Sequence, residues 1–358
     1  MKMKTLLLTP DYPPKCGGVA RYLFELVQFF APRASGEGRL TVSTTCLFAR
    51  FLWPNWLPAL WQMIFHTRTY DQLFISHVLP LGLVASIAQI ITKKPYIILL
   101  HGMDFALARR NRWKRILTRR ALRQARLIVT NTEFLEREVR GFIGSATTLV
   151  VYPCLAEEFL ASSRVPNNDE RVSKKEKIQL LTVARLVPRK GHLSVLEAIA
   201  ILRDHDRLPS LHYHIVGDGP LYARILEHIK ELRLMNIVTI HRSISDFDLI
   251  QIYRSSDIFV MPTEHAGKDI EGFGTVYIEA GAFGLPVIAS DVPGVNEAVS
   301  DGETGILVPS GSVPDLADAI EILARNPERR TELGTRGRLR THNVFTCQQQ
   351  FGKLEEYL

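Results

Sequence analysis

The sequence predicts an α/β protein of two tandem domains, each a doubly wound parallel sheet, and three observations carry that prediction. Strand-like and helix-like patterns alternate through the first half, a charged, breaker-rich stretch interrupts them at 162–177, and the alternation then restarts. Alternating strands and helices build βαβ units, whose crossover helices cover a parallel sheet on both faces. The length of 358 residues fits about two domains.

In the first half, strands are expected at 4–9, 40–47, 73–76, 96–100, 127–130 and 148–151, each a short run of β-favouring residues. Between them, apolar residues recurring every three or four positions predict helices at 19–30, 81–91, 112–124 and 133–139. The stretch 162–177 holds almost no apolar residue and reads as a linker between domains at 1–161 and 178–344. Beyond it, strands at 178–183, 212–216, 237–240, 258–261, 287–290 and 305–308 alternate with helices at 193–203, 222–232, 248–254, 276–283 and 316–324. Ligands of such sheets bind beyond the carboxyl ends of the strands, so a cleft between the domains is the expected active site.

Composition is globular: 46% hydrophobic, 23% charged, with 23 Gly and 19 Pro, which excludes disordered and collagenous chains. Cys16, Cys46, Cys154 and Cys347 stand far apart, without the close pairs of metal or redox motifs, and are expected to be reduced and structural. The apolar run before Asp11 is too short for a signal-peptide core, and the apolar stretches 51–65 and 79–91 fall short of the ~20 residues that span a bilayer. A cytoplasmic chain without a transmembrane helix is expected. Net charge is +7, yet nine Arg and Lys and no acid lie between Arg109 and Arg126. Basicity concentrated in one segment points to a local anionic partner rather than to general nucleic-acid affinity.

Familiar nucleotide and hydrolase fingerprints are missing. Gly217-Asp218-Gly219 lacks the third glycine of a dinucleotide fingerprint, Gly267-Lys268 is followed by Asp269 rather than Ser or Thr, and no nucleophile elbow occurs. Glycine-rich loops at strand ends carry the remaining signal. Gly17-Gly18 precedes a predicted helix and would leave free N–H groups for an anion. Arg185 and Lys190 flank the loop after the 178–183 strand, an arrangement suited to a diphosphate. Glu271 sits before a second helix start at Phe273-Gly274-Thr275, and Glu279 lies about two turns further on, inside an apolar run where a buried acid wants a partner. His212 and His214 alternate on a strand without a Cys or His partner and read as structural. Asp218 is expected to cap the following helix, and Asp246 with Asp248 to mark a helix start.

Taken in order, these motifs resemble the retaining glycosyltransferases of family 4: Gly17-Gly18, His101-Gly102, Arg185 with Lys190-Gly191, Val216 to Pro220, Glu271 and Glu279 separated by seven residues, Gly284 to Ala289, and Glu297 with Gly302 to Gly305. The resemblance implies the GT-B fold of two Rossmann-like domains and transfer of a hexose from a nucleotide-diphosphate sugar, with no metal or other cofactor. It assigns Arg185 and Lys190 to the diphosphate and Glu279 to the ribose. Glu271, His101 and the Phe273, Gly274 and Thr275 backbone fall to the donor sugar or phosphate, Gly17 and Gly18 close over the phosphates, and Gly217 belongs to the donor-binding set. His101, Glu271, Arg185 and Lys190 are thus the catalytic candidates. Nucleotide-base recognition is expected through backbone near 242–245. The segment 345–358 is expected to cross back onto the first domain, without the aromatic common there.

Acceptor features lie in the first domain. Trp53, Trp56 and Trp61 cluster in an apolar segment, and Arg112, Arg115, Arg119 and Arg123 share a helix with Trp113 and Ile116. Cations mixed with tryptophan suit an anionic membrane surface and a lipid-linked acceptor, and the loop 266–272 is similar to that of phosphatidylinositol mannosyltransferases. The expected location is the inner face of the cytoplasmic membrane. A soluble acceptor or a GT-B epimerase are the alternatives on the same fold. An RNA-binding protein would use the arginine helix but leave Lys190, Glu271 and Glu279 idle.

Overall fold

The computed structural model describes residues 4–15, 17–31, 40–43, 54–66, 69–164, 177–207, 210–264 and 272–358. They form two compact units, Met1–Cys154 with Cys347–Leu358, and Leu155–Thr346.

The first unit runs β1 (Thr5–Leu8), α1 (Gly18–Phe30), β2 (Leu40–Ser43), α2 (Leu57–Phe65), β3 (Gln72–Ser76), α3 (Leu83–Thr92), β4 (Tyr96–Leu100), α4 (Met103–Ala108), α5 (Arg112–Gln124), β5 (Leu127–Thr130), α6 (Glu133–Ile143) and β6 (Thr148–Val150). Its strands pair in parallel in the order β2-β1-β3-β4-β5-β6. Every residue of β1 and β4 is buried. A strand covered on both faces cannot alternate, which is why these segments read as continuous apolar runs. On one face Leu6, Ile75, Ile98 and Ile128 pack with Met63 of α2, Val84 of α3 and Leu122 of α5. On the other, Leu7, Phe74, Leu99 and Val129 meet Leu23 and Leu26 of α1 together with Phe351, Leu354 and Leu358 from the chain's end.

The second unit runs α7 (Glu157–Arg164), β7 (Ile178–Val183), α8 (His192–Asp204), β8 (Leu211–Val216), α9 (Tyr222–Glu231), β9 (Val238–His241), α10 (Asp246–Ser255), β10 (Ile258–Met261), α11 (Thr275–Ala282), β11 (Val287–Ser290), α12 (Val295–Ala298), β12 (Gly305–Val308), α13 (Val313–Arg325) and α14 (Pro327–Val344). Its sheet is also parallel, in the order β12-β11-β10-β7-β8-β9. Helix α7 lies in this unit, so the division falls at Cys154 rather than at the expected 161. Residues 165–176 of the expected linker lie outside the described residues.

Two findings were not expected from the sequence. Helix α14 lacks an apolar period but has clear termini: the Asn326 side chain accepts the Arg329 N–H at 2.9 Å, and Pro327 opens the helix. It crosses α11 at glycines, where a Cβ on Gly334 would lie 2.1 Å from the Gly284 carbonyl. Secondly, Cys154 and Cys347 are joined in a disulfide, their Cα atoms 4.9 Å apart across 193 residues of sequence. The expectation of reduced cysteines is corrected for this pair, because separation along a chain says nothing of distance once the chain returns to its first sheet. The returning α15 (Cys347–Phe351) carries the expected docking, and its aromatic is Phe351, set edge-on to Tyr22 at 5.3 Å and Phe29 at 5.9 Å.

Candidate active site

Loops beyond β7, β8 and β10 carry the candidate donor-site residues of the second unit. Leu186 N–H donates to the Asp218 carbonyl at 2.9 Å, and Pro188–Lys190 forms one tight turn before Gly191, whose φ of 66° starts α8 without a side-chain cap. A Cβ at Gly191 would fall 2.0 Å from the Pro262 carbonyl, and one at Gly217 would fall 2.0 Å from the Ala184 carbonyl. The segment carrying Arg185 and Lys190 is therefore pressed between two neighbouring loops, backbone against backbone. Packing alone explains the glycine at 217. The Ser194 hydroxyl also donates to the Glu264 carboxylate, tying α8 to the segment that leads toward α11.

Contrary to the expectation from the sequence, Asp218 does not cap α9, whose start has no side-chain cap. Its carboxylate takes the Gly219 N–H at 2.7 Å and the Arg242 guanidinium at 2.8 Å, and these hold its pKa below the usual carboxylate value. Ser245 caps α10 by accepting the Asp248 N–H at 3.1 Å, with Asp246 and Asp248 in the first turn as expected.

At α11, Gly274 precedes the helix with φ 79° and no side-chain cap, so Thr275 and Val276 present their N–H groups at an uncapped helix start while the Tyr277 N–H donates to the Gly274 carbonyl at 3.0 Å. Tyr277 supports that turn, its hydroxyl donating to the Met261 carbonyl at 2.9 Å. Phe273 is 2% exposed and edge-on to Phe345 at 5.4 Å, so its side chain is core. Glu279 is 7% exposed and accepts the Tyr253 hydroxyl at 2.9 Å. The buried acid has an internal partner, so burial by itself does not demand a ligand. Glu271 lies outside the described residues.

In the first unit, Gly17 starts α1 with φ 149° and no side-chain cap, and a Cβ on Gly17 or Gly18 would meet nothing within 4 Å. That open space before a helix N-terminus is compatible with an anion. His101 follows β4, with its Nε2 buried and without a hydrogen-bond partner. Burial, followed by the charge of His77, pushes its pKa down to about 3, so the ring is neutral near pH 7. Its backbone N–H donates to Asp104 Oδ1 at 3.0 Å, and burial raises the Asp104 pKa.

Three polar residues here were missed in the sequence: His77, Asp104 and Asn131. His77 adopts φ 89°, unusual for a non-glycine, with Nδ1 2.7 Å from the Ser76 carbonyl and Nε2 3.1 Å from Asp11 Oδ2. Asn131 is 7% exposed and its Oδ1 has no partner. His77 and Asn131 stand one residue past a predicted strand, the signal that could have found them.

The surface candidates divide. Trp53 lies outside the described residues, Trp56 packs against the core, and Trp61 is 57% exposed beside Phe65 at 5.2 Å. On α5, Trp113 and Ile116 are 80% and 60% exposed, and Arg112, Arg115, Arg119 and Arg123 are exposed. Arg123 nevertheless donates to the Ile143 carbonyl, and Arg109 pairs with Glu138 at 2.9 Å, so not all nine cations are available to a partner. Among the described residues no helix is long and apolar enough to cross a membrane. His212 and His214 do have a histidine neighbour, correcting that expectation: His241 of β9 places Nε2 3.0 Å from His214 Nδ1.

Residues 5–154 match the family described as Glycosyl transferase 4-like domain, and residues 165–340 match Glycosyl transferases group 1. A GDP-mannose-dependent alpha-(1-6)-phosphatidylinositol monomannoside mannosyltransferase of Mycolicibacterium smegmatis is 28% identical, covering 93% of this chain and 92% of its own. A monoacylated-substrate counterpart from Corynebacterium glutamicum is 27% identical, covering 94% and 92%. The Anabaena protein HepE, solved with UDP, superimposes with a TM-score of 0.80 at 20% identity over 99% of both chains. Sucrose-phosphate synthase of Thermosynechococcus elongatus gives 0.76 at 19%, over 99% and 98%. With its two transferase domains on two Rossmann-like parallel sheets, the chain belongs to the family 4 glycosyltransferases of GT-B fold, enzymes that transfer a sugar from a nucleotide sugar.

Proposed function

We propose that the protein is a retaining mannosyltransferase that carries mannose from GDP-mannose to a hydroxyl of a phosphatidylinositol-type lipid, working at an anionic membrane surface and without a bound metal. The observation that carries the reading is the Arg185 to Gly191 loop, held by its neighbours, which carries two cations and leads into an uncapped helix N-terminus. The leaving group is a nucleoside diphosphate, and its developing charge is met best by cations and N–H dipoles that need no rearrangement. GDP-mannose and the lipid acceptor are supported by the names of the two full-length bacterial relatives. In this reading the second unit holds the nucleotide, Glu279 its ribose and Glu271 the sugar. The neutral His101 and the open α1 start serve the first unit's side of the reaction.

The deciding experiment is mannosyl transfer from GDP-mannose to phosphatidylinositol monomannoside in mixed vesicles, with and without EDTA. Lys190→Ala and Glu279→Ala should each lose about 10²-fold or more in turnover while remaining folded. The product should keep the donor's anomeric configuration by NMR, and EDTA should have no effect. Near-normal turnover in both variants would sink the site assignment, whereas an inverted product or a magnesium requirement would sink the mechanism.

A further inference from the structure

Beneath the same loop lies a histidine to which the sequence reading gave no role. His192 is 1% exposed and is the first residue of α8. Its Nε2 lies 3.2 Å from the Arg185 carbonyl oxygen. A carbonyl can only accept, so Nε2 carries the proton and the ring is the neutral Nε2–H tautomer. Nδ1 is buried without a hydrogen-bond partner, which makes the bond to Arg185 the use to which this ring's polarity is put. Burial pushes the His192 pKa down to about 4, with the Lys190 charge acting in the same direction, so the neutral donor persists near pH 7. The same peptide unit is held on its other side, where the Leu186 N–H donates to the Asp218 carbonyl at 2.9 Å, and further along the loop Gly191 is fixed by Pro262. The Arg185 carbonyl also accepts the Val187 N–H at 2.9 Å, and His192 approaches that peptide from the helix.

We propose that His192 is a positioning residue of the donor site, setting the Arg185 backbone through this hydrogen bond so that Arg185 and Lys190 meet a diphosphate together. The inference rests on the donor-site reading above and adds to it a residue that itself touches no ligand. A helix-opening histidine in the core would otherwise be an expensive choice, since an apolar residue could fill the same space without leaving Nδ1 unsatisfied.

The test is calorimetric titration with whichever of GDP and UDP binds the wild-type chain more tightly. Four variants are needed: His192→Leu, His192→Gln, Arg185→Ala, and the Arg185→Ala, His192→Leu double. Leucine fills the space without a donor, while the glutamine amide can still donate to the carbonyl. His192→Leu should weaken binding about tenfold and glutamine should restore most of it. On the Arg185→Ala background the leucine change should cost less than about twofold, because the residue acts through Arg185. Equal losses in both backgrounds, or wild-type affinity in His192→Leu, would overturn the proposal and leave the donor site standing. Unchanged affinity in Arg185→Ala would overturn the donor-site reading and this inference with it. Should His192→Leu fail to fold, ring ¹⁵N shifts of the wild type decide: the Nε2–H tautomer supports the proposal and the Nδ1–H form defeats it.

Discussion

Glycines at the strand ends serve opposite purposes, and only one of them is packing. At Gly217, φ is 148° and a methyl group would strike the Ala184 carbonyl at 2.0 Å; at Gly18 it would meet nothing within 4 Å. Gly217→Ala should therefore lower stability by about 1–3 kcal/mol from backbone strain and displaced contact, and weaken nucleotide binding as the Arg185 loop shifts. Gly18→Ala should leave the melting temperature unchanged or slightly raised, since alanine is the better helix former. Thermal melts of the two variants, run beside turnover assays, separate the roles, and a stable Gly217→Ala chain would show that the loop can move aside. The sequence showed where glycine was wanted but not which neighbour wanted it. Asp218 was misread for the same reason: its partner Arg242 is 24 positions away, on the loop after β9.

Element by element, the helices that cover a sheet were legible because their inner stripes repeat. On α5 that stripe is Thr118, Ala121 and Leu122, and the helix spans Arg112–Gln124 as expected. Helix α14 was not legible, since it packs through Gly334 and Gly337 and presents no apolar stripe to detect. What α5 leaves outward is a run from Arg112 to Ile116 in which every residue is exposed. If it meets anionic lipid, the protein should co-sediment with phosphatidylglycerol-containing vesicles at low salt and less so at high salt. Changing Arg112, Arg115 and Arg119 to Gln should reduce binding by at least about tenfold, each cation near such a surface adding about 1 kcal/mol. Arg123 is left intact because its guanidinium holds the Ile143 carbonyl. Trp113→Ala should remove mainly the part that salt does not screen. Equal binding by the arginine variant would reduce α5 to a solvated face and favour a soluble acceptor.

For the whole molecule, histidines that are wholly or partly buried set the response to acid. Burial lowers His101 to about 3, and His192 and His214 to about 4, against about 6.5 in an unfolded chain. Below pH 6.5 the native state thus binds fewer protons than the unfolded state, so stability is complete above that value and falls as pH drops toward 4. Denaturant midpoints measured from pH 7.5 to 4.5 should decline over this window, and His214→Gln should flatten the decline; a midpoint constant to pH 5 would mean that these rings are accessible to protons. The two-sheet plan was readable from alternation alone, but the cysteine pair was not, because an entire domain intervenes between Cys154 and Cys347. That interruption makes the second unit a cassette. Leu155 and Thr346 form a parallel bridge, with the Leu155 N–H donating to the Phe345 carbonyl at 2.8 Å, so its ends lie side by side. It could be excised and closed head to tail, or exchanged for another donor module, while the remaining ends, with Cα atoms 4.9 Å apart, could be rejoined by roughly one or two residues. On the ribosome the same topology reverses the usual order: the first sheet must wait for Phe351 and Leu354, which are made after the whole cassette, before its second face can close, by which time the cassette has had all its own residues available to fold.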